Sequence, residues 1–472
     1  MLYNLYMKWL LILPFLVVKD TSPPITNYLK GKAYEKNKQF ELAISEYKTA
    51  LSKDPESIEI KRSLAHVYLY KNENEKALSL LLSIAKKDPS PSLWQEIGRI
   101  YIKQKRYKTA IEAYNEGLKL KQDDIGLLHG LGEAYLFAKE REHAISTYKR
   151  LLLVSPNKEP ILSTLALMYK NEGRIIEEKI ACGALLAINP ENIYVYKRLI
   201  IISLFERNFP LALDLSNILV EKDQSPHSHL LFGISLEKNE DDELAEKHYK
   251  IAKDGEIKEA FVRLGWMLLR KERDEEGLSL VDEGLSKFGD DHDLLVLKGI
   301  FLQEKKPDLA KEIFKKLIKK NPDDDYLYFH LAICYDRMGD KSKAISYLYK
   351  AIRLNPRNAP AYNYIGYTWA DSNKNLKRAL SLIEKALMLD PDNPAYIDSL
   401  GWCYFRLGMI DEGLKELLKA LGLDRENWEI LEHVGDVYFH KGFFDEADRF
   451  YMEAIKYSSD KERIEKKIRQ KY

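Results

Sequence analysis

Apolar and small side chains fall at the fourth, seventh, eighth and eleventh places of a pattern that returns every 32 to 35 residues. That is the stripe of one buried helix face. The small members are Gly31, Ala65, Gly98, Gly132 and Ala166, then Gly233, Gly265, Gly299, Ala332, Gly366, Gly401 and Gly435; Ile200 fills the one double-length gap. An aromatic commonly follows three residues later, as at Tyr34, Tyr101, Tyr169, Trp369 and Tyr438. Twelve residues after most of these small residues comes a second, for example Ala43, Ala110, Ala245 and Ala447, and Ala212 follows Ile200 at the same distance. Ala310 and Ala379 lie eleven and thirteen residues on, marking a one-residue deletion and insertion in the turn.

Pairs such as Asp54-Pro55, Asn189-Pro190, Asn355-Pro356 and Asp390-Pro391 close each block, because the residue before proline is pushed out of the α region. The pattern predicts helix-turn-helix thirteen times, from about Pro24 to Ser459. Glycine inside a helix costs about 1 kcal/mol relative to alanine. Its return at one register therefore points to two helix axes crossing closely there. The array weakens over about 159–257, where Glu178 and Ile200 stand at small-residue places. Each unit of a solenoid touches only its neighbours, so this stretch is expected to act as a hinge. The expected organisation is a signal-like or anchoring segment over 1–23, an N-terminal array over 24–225, a C-terminal array over 226–459 and a capping helix over 460–472. That last helix keeps Ile464, Ile468 and Tyr472 on one stripe.

These residues resemble the tetratricopeptide repeat, with a small residue eighth, an aromatic eleventh, alanine twentieth and proline near the thirty-second place. The third unit shows the full opening, Trp94, Ile97, Gly98, Tyr101, Ala110 and Tyr114. The resemblance covers more than nine tenths of the chain. It implies an all-α, right-handed superhelical solenoid whose first helices line a concave face that binds other proteins. The segments 361–371, 382–408 and 430–447 are more narrowly similar to bacterial envelope-associated lipoproteins built of these repeats. That likeness implies an adaptor or scaffold for a periplasmic protease or assembly factor. The alternative is a structural component of a secretion, pilus or exopolysaccharide export machine. The residue after the packing glycine is Lys32, Arg99, Glu133, Tyr367, Trp402 or Asp436, never the asparagine of the chaperone-tail clamp.

Composition narrows the partners. The 472 residues carry 74 basic and 73 acidic side chains, a net charge of +1, without the surplus that phosphate neutralisation needs, so nucleic acid is not expected. Met1 to Lys8 carries a weak positive charge and Trp9 to Val18 is wholly apolar. This pattern predicts export or membrane attachment through residues 1–18, and hence a cell-envelope location, with the cytoplasm as the alternative. No cysteine follows to take a lipid. Cys182, Cys334 and Cys403 lack metal or disulfide spacing and fall at buried places of the repeat.

No phosphate loop or nucleophile motif is present, and His227 and His229 point to different faces of a helix. No cofactor, metal, small-molecule substrate or catalytic residue is expected, and the chain reads as no enzyme. Function is assigned to the first-helix stripe at the second, fifth, ninth and twelfth places. In the C-terminal array this stripe holds Trp266, Phe329, Asn363, Tyr367, Asp398, Trp402 and Phe405, then Glu432, Asp436 and Phe439. Aromatics facing solvent there are expected to be covered by a partner protein.

Overall fold

A computed structural model describes residues 23–458 and 460–469, and among them the chain forms twenty-seven helices and no strand. We number these α1 (Pro24–Lys36) to α27 (Lys461–Arg469). The first twenty-six pair as thirteen helical hairpins, the number the repeat predicts. Polar side chains open the first helices: Asp124, Asn192, Asp324, Asn393 and Asn427 each accept a hydrogen bond from a free backbone N–H of the first turn. The Asx-Pro pairs close the second helices, with Asn189 and Asp390 as C-terminal caps.

Most hairpin turns hold a single residue in the left-handed region, among them Lys38, Lys105, Lys139, Gly339 and Gly408. The two irregular turns depart from this rule in opposite ways. The shortened turn after Gln303 has no left-handed residue, and the lengthened one has two, Asn373 and Asn375.

The small residues do more than let two axes approach. A Cβ on Gly98 would lie 2.6 Å from the ring of Tyr114, sixteen residues on, and Gly132 and Gly435 meet Tyr148 and Tyr451 in the same way. The space left by the first helix is filled by a large side chain of the second. That offset shortens to fifteen residues where the turn is deleted (Gly299 to Phe314) and lengthens to seventeen where it is extended (Gly366 to Ile383). Three of these buried tyrosine hydroxyls donate to acids, Tyr47 to Glu35 at 2.5 Å, Tyr249 to Glu237 at 2.5 Å and Tyr451 to Asp436 at 2.7 Å, whereas that of Tyr114 meets no acceptor.

The chain divides into two compact units between Lys222 and Asp223. The N-terminal unit holds six hairpins and ends with α12 (Phe209–Lys222); the C-terminal unit holds seven, beginning with α13 (Pro226–Lys238), and then α27. In the first unit Glu178, standing where other hairpins have alanine or glycine, is only 2% exposed. Arg198 compensates its charge with two hydrogen bonds, Nη2 to Oε2 at 2.8 Å and Nε to Oε1. An irregular unit is thus held by an ion pair in place of close packing.

All three cysteines are buried and free. Burial and the Glu178 carboxylate push the Cys182 thiol up to about 11. Ile464 of α27 is fully buried against the last hairpin, as a capping helix requires. The apolar run Trp9–Val18, Lys471 and Tyr472 lie outside the described residues. Among those described, no helix is long and apolar enough to cross a membrane.

Candidate functional site

Eight of the ten residues of the expected stripe lie on three successive first helices of the C-terminal unit, α21 (Ala359–Asp371), α23 (Pro394–Arg406) and α25 (Trp428–His440). Between them is a cavity of about 130 Å³ whose lining includes Asn363, Tyr367, Asp398, Glu429 and His433. Three of the ten expected residues, Asn363, Tyr367 and Asp398, therefore share one site. Its centre is a residue outside the expected set. His433 is buried and its Nδ1 lies 2.9 and 3.0 Å from the two carboxylate oxygens of Asp398. A carboxylate can only accept, so Nδ1 carries the proton. Burial works against a second proton on this ring. The Asp398 carboxylate, with Asp436 and Glu432 beyond it, more than offsets that and raises the His433 pKa above the ordinary value.

The signal for His433 was its register. It is sixth in its repeat, one place from the stripe, where a side chain faces the preceding first helix. Tyr364 occupies the same place and donates to Asp336 of the previous unit at 2.8 Å.

Trp402 stacks on His433 with ring centroids 4.3 Å apart, and Phe405 leans on Trp402 at 5.2 Å. Here the solvent-facing expectation fails. Trp402 is 7% exposed, and Phe405 and Phe439 are half-buried, because the adjoining first helices and α26 (Phe444–Tyr457) supply His433, His440 and Phe444 as covering rings. Glu432 and Asp436 face the capping helix: Lys467 Nζ reaches both at 2.7 Å, and Arg463 pairs with Glu432. Phe329 meets the cavity only through an edge-to-face contact with Tyr364, at 6.3 Å. Trp266 sits apart, half-buried against the core around Phe314 and Leu331.

What remains open to a ligand is acceptor-rich. The Asn363 Oδ1 is buried and meets no protein donor. Glu429 stands at the exposed mouth. Desolvation raises its pKa, His433 lowers it, and Asp398 and Glu432 raise it further. A positive group arriving there would relieve that penalty.

Elsewhere in this unit His229 pairs with His248 of the same hairpin, Nδ1 to Nδ1 at 2.8 Å, and not with His227. One ring must donate to the other's lone pair, and burial lowers the pKa of both. Among the described residues no group of three or more His, Cys, Asp or Glu is placed to hold a metal ion.

Models of the tetratricopeptide repeat match residues 35–97, 98–136, 127–161, 301–365 and 396–427. Over 108 residues the chain is 32% identical to the TPR repeat-containing protein PA4667 of Pseudomonas aeruginosa, covering 23% of this chain and 18% of that protein. It is 22% identical over 342 residues to the human protein O-mannosyl-transferase TMTC3, covering 66% of this chain and 37% of that one. The chain thus spans well under half the length of these relatives. Among solved structures, a chain of the APC/C hetero-tetramer Cut9–Hcn1 aligns over 95% of this chain and 96% of its own length, with 16% identity and a TM-score of 0.45.

Proposed function

Because the chain is a tetratricopeptide-repeat protein, we propose that it is a non-catalytic scaffold that docks a partner protein on the first helices of its C-terminal unit. The observation that carries this reading is the cavity between α21, α23 and α25, with its unmet Asn363 carbonyl and its raised Glu429 carboxyl. A buried acceptor without a donor is costly, and a partner's side chain is a natural source of one. A lysine ammonium or arginine guanidinium suits the site, since it brings donors and positive charge together.

The same unit supplies an internal precedent. One hairpin further on, Glu432 and Asp436 occupy the register of Asp398 and Trp402, and the groups that satisfy them are Arg463 and Lys467. In this reading Asn363, Tyr367 and Glu429 touch the partner. Asp398 and His433 set the charge of the site, and Trp402 and Phe405 hold His433 in place. Phe329, Phe439 and Trp266 extend the apolar surroundings along the unit. The partner is a basic segment of a protease or assembly factor. We place this encounter in the bacterial cell envelope on the strength of residues 1–18, a placement that fractionation and sequencing of the mature N-terminus would check.

Panning a display library of random peptides on the full chain tests the binding role. Enriched peptides should carry Lys or Arg, and the pair of changes Glu429→Gln and Asn363→Ala should abolish the enrichment. Basic peptides retained equally by that variant would overturn the assignment.

A further inference from the structure

The first-helix face of the N-terminal unit is built differently. Leu167 on α9 (Glu159–Asn171) and Tyr194, Ile201 and Phe205 on α11 (Ile193–Phe205) are 52, 62, 44 and 74% exposed. With α10 (Ile175–Ile188) these helices enclose two adjoining hollows of about 60 and 250 Å³. Leu167 and Tyr194 line the smaller hollow, and Ile201 and Phe205 the larger. Lys170, Glu178 and Arg198 line both. The ion pair of Glu178 and Arg198 leaves this shared wall neutral. Lys170 is exposed and has no ion-pair partner among the described residues, so it gives the double hollow its net charge.

Charge continues towards the N-terminus. The fifth and ninth places of the three preceding first helices hold Arg62 and His66, Gln95 and Arg99, and His129 and Glu133; His66 lies 2.8 Å from Glu35 and His129 3.7 Å from Glu133. Arg62 and Arg99 have no carboxylate partner among the described residues. The face therefore carries two arginines without counter-charge ahead of the apolar hollows and Lys170 within them. An exposed apolar surface flanked by unpaired cations fits a ligand with the opposite charge and its own apolar side chains.

We propose that this groove docks an acidic amphipathic segment of a partner protein, with two apolar side chains entering the hollows and a carboxylate between them meeting Lys170. The aliphatic parts of the lining, Leu167, Ile175 and Ile201, favour a polypeptide over a nucleic acid, whose phosphates would be desolvated there. The ligand chemistry is opposite to that of the C-terminal cavity, so this site does not rest on the assignment of that one.

The probe is a fluorescein-labelled synthetic helix of about 20 residues, with leucines along one face and glutamates elsewhere. It is titrated with the full chain and followed by anisotropy. Two control peptides exchange glutamate for lysine or leucine for serine. The acidic amphipathic peptide should bind and both controls should not. Tyr194→Ser with Phe205→Ser, exposed positions whose loss leaves the core intact, should weaken binding by about tenfold or more. Lys170→Glu should weaken it severalfold and reduce its dependence on salt. Absence of binding, equal binding of the lysine peptide, or unchanged affinity in all these variants overturns the proposal. Displacement by a single-stranded oligonucleotide in a manner sensitive to the same substitutions would assign the groove to nucleic acid instead.

Discussion

Two stretches of first helix carry similar apolar stripes and have opposite fates. Over α9 to α11 of the N-terminal unit, Tyr194 and Phe205 stand in solvent beside open hollows. Over α21 to α25 of the C-terminal unit, Trp402 and Phe405 are covered by His433 and His440, which the next hairpin supplies. The residues at the stripe do not decide the difference. In the C-terminal unit the cover comes from rings of the next hairpin, His433 over Trp402 and His440 against Phe405. A large apolar residue on an inner face is thus no evidence of an open surface until its neighbour is known.

The largest effect is expected at the ion pair of Glu178 and Arg198. Arg198→Ala leaves Glu178 buried without a counter-charge, and losses of this kind run to about 3–5 kcal/mol. Chemical denaturation should show the N-terminal unit destabilised by that order; a loss under about 1 kcal/mol would mean that the wall of the hollow is looser than drawn.

Two histidines at the same sixth place sharpen the contrast through pH. Burial lowers the His330 pKa to about 4, its Nδ1 lying 2.9 Å from Gln303 and its ring stacked on Phe314. The unfolded chain binds this proton more readily than the folded one, so stability falls as the pH drops from about 6.5 towards 4, by about 3 kcal/mol at most. His433 has the opposite sign. Its raised pKa gives stability that is present below the unfolded value and is lost as the pH rises through the folded one. Urea midpoints across this range should flatten at the acid end in His330→Phe. In Asp398→Asn they should lose the component that favours low pH.

A smaller effect separates the turns. Lys105 holds a left-handed backbone that glycine adopts freely. Lys105→Gly should raise the melting temperature, with a gain of up to about 1 kcal/mol. The same change at Lys306, whose φ is −140°, should bring no gain.

The hairpin count, the turn deletion and insertion, the buried cysteines and the capping helix were all legible in the residues, because each follows from local spacing. The pairing of Gly98 with Tyr114 also lay in the sequence, as a fixed offset that moves with the turn length. Three features were not legible. His433 shares its sixth-place register with His330, and only contact with Asp398, thirty-five residues earlier, sets its role apart. Glu432 and Asp436 read as groove acids, but their partners lie on α27. Phe205 shares its hollow with Glu178 and Arg198, a neighbourhood that spacing alone does not express.

The contrast between an open groove and a covered one is tested most directly by hydroxyl-radical footprinting of the full chain, alone and with the acidic amphipathic peptide. An indole is intrinsically at least as reactive as a phenyl ring, so slow oxidation of Trp402 can come only from burial. Tyr194 and Phe205 should be modified rapidly and protected by the peptide, with Trp402 slow in both samples. Fast oxidation of Trp402, or Phe205 equally reactive with and without the peptide, would contradict that contrast.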